Sequence, residues 1–181
     1  MRSVLVHGTF DPVTSGHMWL VSTGLQLFDR IVVAVAPIMN REPMFTVDER
    51  IKMWHDSLHG WGDGRVEVIA AGDEFEGQLA KEHGCGFVLA GVRSMAEYME
   101  RSVWQRVVRD LDSAVQSVYL FPDERIAAIS ASKVRALVGT DGWVENVSRY
   151  LQPAAYEALY WKFRRPERAI SSSSCGEVSS P

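Results

Sequence analysis

The sequence predicts an α/β fold: a five-stranded parallel sheet with helices on both faces and a helical C-terminal part. Three observations carry that expectation. Short β-branched apolar runs alternate with helical segments almost to the end of the chain. A helix-opening signal, Thr46-Val47-Asp48-Glu49, stands between two such runs. The first apolar run, Val4-Leu5-Val6, passes through the glycine-bearing segment HGTFDPVTSGH into a helical pattern, as a strand-to-helix turn does in α/β folds.

Taken in order, the first strand is Ser3 to His7, and a helix starts near Gly16. The second strand is Arg30 to Ala36. The next helix starts near Thr46, where the threonine hydroxyl and the Glu49 carboxylate answer orphan N–H groups of the first turn. Along it Ile51, Trp54 and Leu58 recur at helical spacing and should face the core. Val66 to Ala70 is the third strand, followed by a helix from near Glu76. Phe87 to Gly91 is the fourth, followed by a helix from near Ala96, and Gln116 to Phe121 is the fifth. Helical stretches near Ser132, Val144 and Pro153 make the C-terminal part. Trp54, Trp104 and Trp161 fall in helical patterns and are read as core residues. Residues 1–163 then form one domain. From Arg164 the chain reads RRPERAISSSSCGEVSSP, too poor in apolar side chains to offset its ordering entropy, so 164–181 is read as a flexible Ser-rich tail. Its Arg164, Arg165 and Arg168 are read as solvated charges.

Bulk composition excludes several classes of function. The 181 residues suffice for one domain with a real core, and 46% apolar with 23% charged residues is the balance of a soluble globular protein. A net charge of −4 leaves no global basic field to hold nucleic acid. No apolar stretch approaches membrane-spanning length, and Val4 to Val6 lacks the shape of a signal peptide, so no membrane contact and a cytoplasmic location are expected. Cys85 and Cys175 have neither metal-ligand nor C-x-x-C spacing, and Cys85 reads as a buried inert thiol. His55, His59 and His83 show no ligand spacing to one another, so no protein metal site is read.

Chemistry concentrates between His7 and His17. A strand-to-helix turn sets backbone N–H groups and a positive helix end in front of an anion. Gly8 and Gly16 let the backbone come close to a ligand, Thr9 and Thr14 offer hydroxyls, and His17 begins the helix as a donor or a cation. That is equipment for phosphate. There is no Walker lysine and no G-x-G-x-x-G, so neither a P-loop nor a dinucleotide fingerprint accounts for it.

GTFDP followed by T-x-G-H resembles the signature of the nucleotidylyltransferase superfamily, and Thr14 takes the threonine form of its [T/H]-x-G-H pattern, as in bacterial phosphopantetheine adenylyltransferases. Further segments in the expected order extend the resemblance from about Ser3 to Lys162. In APIMNREPMFTVDER, Pro43-Met44-Phe45 matches a P-[ML]-F motif, and Arg41 stands where the family has a lysine that binds phosphate of both substrates. AGVRSMAEYMER resembles R-G-L-R-x-x-x-D-[FY]-x-x-E through Gly91, Arg93 and Tyr98, which makes Arg93 the clamp for the triphosphate. Ala90 replaces the arginine that grips the acceptor's phosphate, Glu97 replaces the aspartate, and Arg101 replaces the acid near the nucleotide. Arg101 reads either as a solvent-facing residue or as the source of the charge that Ala90 removes. AAISASKVRAL is similar to I-S-S-S-x-[VI]-[RK], with Ile129, Ser130 and Ser132 kept and Ala131 in place of the middle serine. Gly72-Asp73-Glu74-Phe75-Glu76 falls where the family walls its acceptor pocket. It reads either as a solvated loop before a helix or as a wall suited to a polar or cationic acceptor.

The resemblance implies a Rossmann-like nucleotidylyltransferase fold and transfer of AMP from ATP to a phosphorylated acceptor, with Mg²⁺ arriving on the nucleotide. It implies His17 and Thr14 as catalytic residues. It implies Gly8, Thr9, Phe10, Gly16, His17, Gly91, Arg93, Ile129, Ser130 and Ser132 as the nucleotide site. Thr9, Arg41, Glu74, Phe75, Ala90 and Arg101 are the expected acceptor site. With the acceptor half altered, phosphopantetheine is expected to be a poor acceptor. Two alternatives stay open on the sequence: a nucleotidylyltransferase using ATP or CTP with another phosphate, phosphonate or nucleotide acceptor, and a non-catalytic nucleotide sensor. Intact Thr14, His17 and Arg93 argue against the sensor. A homo-oligomer is expected, and the resemblance implies a hexamer.

Overall fold

A computed structural model describes residues 1–111 and 115–164 of the chain; Arg165, Arg168, Cys175 and the rest of the serine-rich stretch lie outside the described residues. The five apolar runs form one sheet: β1 (Ser3–Gly8), β2 (Arg30–Val35), β3 (Val66–Ala70), β4 (Phe87–Gly91) and β5 (Gln116–Leu120). All neighbours are parallel and the order is β3-β2-β1-β4-β5. The chain winds outward from β1 through β2 and β3, then returns to β1's other side with β4. That switch point opens a crevice beyond the carboxyl ends of β1 and β4.

The helices are α1 (Ser15–Leu27), α2 (Val47–Ser57), α3 (Glu76–Glu82), α4 (Met95–Leu111), α5 (Glu124–Ala127), α6 (Ala131–Leu137), α7 (Trp143–Ser148) and α8 (Pro153–Phe163). The predicted elements are all present, with ends moved by a residue or so. β2 stops at Val35, yet the Ala36 N–H still donates to the Gly8 carbonyl at 2.8 Å. α5 and a single 3-10 turn at Gly62–Gly64 were not foreseen, being too short to show a period.

Period-two alternation divides the strands between two cores. Val4, Val6, Ile31, Val33 and Leu89 face Val21, Met53, Trp54, Val147 and Leu159 of α1, α2, α7 and α8. Leu5, Val32, Ala34 and Val88 lie with Leu79 and Ala80 of α3 and with Cys85, whose thiol burial pushes upward in pKa, so it is inert. α1 sits so close to the sheet that a Cβ on Gly24 would come within 2.8 Å of Leu89 and 2.9 Å of Ile31. Two tryptophans depart from expectation: Trp54 is fully buried, but Trp104 and Trp161 are 60% and 71% exposed. α8 buries Ala155 and Leu159, and Trp161 falls off that stripe. Among the described residues no helix is long and apolar enough to cross a membrane.

Two charged side chains are buried where β1 and β2 end. The Asp11 carboxylate accepts from the Phe45 N–H at 2.9 Å and the Met44 N–H at 3.0 Å, and pairs with Arg41 at 2.8 Å. Arg50 of α2 donates to the carbonyls of Ala36 (2.8 Å), Phe45 (3.0 Å), Thr46 (3.2 Å) and Thr9. Neither side chain is more than 1% exposed, so each depends on its partners to offset lost hydration. Arg50→Met, similar in length but without donors, should destabilise the protein by about 3–5 kcal/mol, the usual cost of breaking a buried charge network. Urea denaturation would check it, and a loss below 1 kcal/mol would show that the network is dispensable.

Candidate active site

The segment between β1 and α1 is closely packed. Phe10 adopts a left-handed backbone (φ 48°), and this aims its ring back over Gly8, where a Cβ would meet the ring at 3.0 Å. The same ring stands edge-on to His17 at 5.0 Å and to Trp54 at 5.1 Å. Phe10 is thus a buried wedge that fixes the imidazole.

Thr14 caps α1, and its backbone N–H donates to His17 Nδ1 at 3.0 Å. T-x-G-H is therefore a capping box with an imidazole in the place usually held by glutamate. An Nδ1 that accepts a backbone N–H carries no proton, so neutral His17 bears its proton on Nε2. Burial, and secondarily the nearby Arg93 charge, holds its pKa down to about 4. The sequence left donor and cation open; the geometry makes His17 a neutral donor at the head of a helix.

A cleft of about 310 Å³ lies beyond the ends of β1 and β4. Gly8, Thr9, Phe10, Thr14, Gly16, His17, Gly91, Arg93, Ile129, Ser130 and Ser132 all line it, gathered from three stretches of chain. Ser130 caps α6 by accepting the Lys133 N–H at 3.1 Å, and its hydroxyl lies 3.1 Å from that of Ser132. Arg93 is closed on Glu97, which accepts its backbone N–H at 2.7 Å and its Nε–H at 3.1 Å. Burial opposes ionisation of Glu97, but these Arg93 bonds prevail and hold its carboxyl below the usual range. Arg135, which the sequence did not single out, also lines the cleft and donates to the Asp11 carbonyl at 2.7 Å.

A second cleft, also about 310 Å³, adjoins the first and is lined by Glu74, Phe75, Ala90 and Arg101 among others. His7, Ala90 and Arg101 line both. His7 was missed as an individual residue, although strand alternation puts it on the Leu5 face of β1, towards α3. Its Nδ1 is 3.9 Å from Glu76, and burial lowers its pKa. Thr9 lines the first cleft only. Arg41 lines neither: its guanidinium is held by the buried Asp11 carboxylate at 2.8 Å.

The His17 assignment has a pH consequence. An unfolded histidine protonates near 6.5 but folded His17 only near 4, so between those values the unfolded chain binds the extra proton. This group's contribution to stability is complete above about 6.5 and is lost as pH falls towards 4. In ¹⁵N NMR, His17 should stay in the Nε2–H form down to pH 5; a midpoint near 6.5 would refute the neutral-donor geometry.

The cytidylyltransferase-like family model matches residues 5–137. A phosphopantetheine adenylyltransferase of Neisseria meningitidis serogroup C is 32% identical, covering 87% of this chain and 92% of its own length. One from Anaeromyxobacter sp. (strain K) is 36% identical, covering 93% and 99%. Among solved structures, the nicotinic acid mononucleotide adenylyltransferase of Plasmodium falciparum, complexed with NaAD, superposes with a TM-score of 0.64, covering 90% of this chain and 96% of that one. At 14% identity, that likeness shows the shared Rossmann-like fold. Motif, fold and relatives agree, and this chain belongs to the cytidylyltransferase-like family of nucleotidylyltransferases.

Proposed function

We propose that this protein transfers AMP from ATP to a phosphate monoester, with release of pyrophosphate. The observation that carries the reading is the neutral Nε2–H donor of His17 at the head of α1, across one cleft from Ser130 and Ser132. The relatives' names support both ATP and a phosphorylated acceptor.

The acceptor's phosphate oxygen attacks the α-phosphorus in line. One O–P bond forms as the bond to the α–β bridging oxygen breaks, and pyrophosphate leaves with the electron pair. The nucleophile is already anionic, so no base is needed to activate it. Catalysis then consists of positioning and of donors aimed at charge growing on the phosphoryl oxygens. His17 and Thr14 donate at the α-phosphate, with the N–H groups of Gly8 and Thr9 beside them. Arg93, Ser130 and Ser132 hold the β- and γ-phosphates, Arg93 exchanging Glu97 for phosphate as the nucleotide enters.

Among the described residues no three His, Cys, Asp or Glu side chains group to hold a metal. Glu97, the one carboxylate among the described residues lining the first cleft, is engaged by Arg93. Mg²⁺ would accordingly ride on phosphate oxygens and water, supplying charge neutralisation. The same reading makes the protein a cytoplasmic homo-oligomer, hexameric by its resemblance. Met95, Met99 and Val103, exposed one turn apart on α4, offer an apolar face that a second copy would cover.

His17→Ala should lower kcat by roughly 10²–10³, the cost of one lost donor to transition-state charge, with the circular-dichroism spectrum retained. Undiminished turnover would remove His17 from the mechanism. Arg93→Ala should weaken ATP binding more than acceptor binding in calorimetric titration. Unchanged ATP affinity would show that Arg93 is not the triphosphate clamp.

A further inference from the structure

We propose that the acceptor is zwitterionic: a phosphate monoester whose anionic end lies between His7 and Arg101 and whose far end carries an ammonium group beside Glu74, Phe75 and Trp104. The inference rests on the transfer reaction proposed above and narrows its acceptor.

A nucleophile seated in the second cleft must reach the first across the residues common to both, which are His7, Ala90 and Arg101. Ala90 contributes only a methyl group. Arg101 makes no hydrogen bond or ion pair among the described residues. An anion at this boundary therefore meets an imidazole and a guanidinium that makes no hydrogen bond, and Arg101 acts electrostatically on His7 and also on the Glu97 carboxylate.

Beyond the boundary the sign of the charge reverses. Glu74 lines the second cleft, where it likewise has no hydrogen bond or ion pair among the described residues, whereas Glu76 stands at the boundary with its carboxylate 3.9 Å from His7 Nδ1. Phe75 and Trp104 are 56% and 60% exposed, and Tyr119 of β5 lines the same cleft. Arg101 and Glu76 both act on the Tyr119 hydroxyl, with opposite sign, and all three line this cleft. Carboxylate beside aromatic faces is the chemistry that recognises an ammonium ion. A neutral tail would desolvate the glutamates and return nothing to them.

The test uses the whole chain with saturating Mg-ATP and reads pyrophosphate release. ω-Aminoalkyl phosphates of increasing length are compared with ω-hydroxyalkyl phosphates of the same lengths, and with choline phosphate and phosphopantetheine. The best aminoalkyl phosphate should exceed its hydroxyl counterpart in kcat/KM by roughly tenfold or more. Glu74→Gln should bring that ratio towards one, while Arg101→Ala should lower both members and leave the ratio standing. Equal or better turnover of the hydroxyl series or of phosphopantetheine would overturn the proposal. Calorimetric titration of the same acceptors, with a non-hydrolysable ATP analogue bound, reads tail preference without turnover. If the analogue binds and the amine is not preferred, the zwitterionic acceptor fails alone. If the analogue does not bind, the transfer reaction fails and this inference with it.

Discussion

The site depends on two buried charges. Asp11, fully buried, is satisfied by the Met44 and Phe45 N–H groups and by Arg41, while Arg50 bridges carbonyls from Thr9, Ala36, Phe45 and Thr46. Removing any one partner would strand a charge or a polar group out of water, so the β1–α1 turn and the loop leading into α2 are locked to each other. That lock bounds a segment in which Phe10 takes a left-handed backbone and wedges its ring against His17 and Trp54. The imidazole position is thus set by packing on one side and by the Thr14 N–H on the other. A donor held in place from two directions before the ligand arrives is what electrostatic preorganisation requires.

The electrostatics of the two clefts differ for a physical reason. In the first, positive character comes from groups that need not carry a net charge: a neutral imidazole, helix-opening hydroxyls and backbone N–H groups. Its exposed cation, Arg93, is paired internally with Glu97, which limits self-repulsion with Arg101 and Arg135 before a polyanion binds. In the second cleft the glutamates stand near aromatic faces, and Arg101 marks the boundary. Position 90 holds a methyl group where the resemblance called for a guanidinium. Arg101 of α4 lines the same two clefts as Ala90.

Much of the site was legible as motif. Thr14, Gly16 and His17 lie three residues or fewer apart, so a strand-to-helix turn is enough to bring them together. Ser130 and Ser132 likewise needed only a helix start. Arg101 could be read two ways, and the fold brings it together with Ala90 in the lining of both clefts. Arg41 stands away from both clefts because a loop arginine goes to whichever anion the fold presents, and Asp11 is buried only once the chain has closed. Trp104 and Trp161 show the same limit in a helix: periodicity tells which residues share a face, not whether anything covers it.

By itself the sequence determined the alternation of strands and helices, the parallel sheet, the glycine-bearing first turn and the capping residues. Each of these is set by contacts within a few residues or by a period of two or of 3.6. Tertiary structure alone decided that His17 is neutral, since its pKa reflects burial and a cation from β4's far end. It alone decided that Asp11 and Arg50 are the buried lock, and that His7 stands between two clefts. Desolvation and long-range pairing depend on which distant surfaces meet, and no local pattern of residues encodes that meeting.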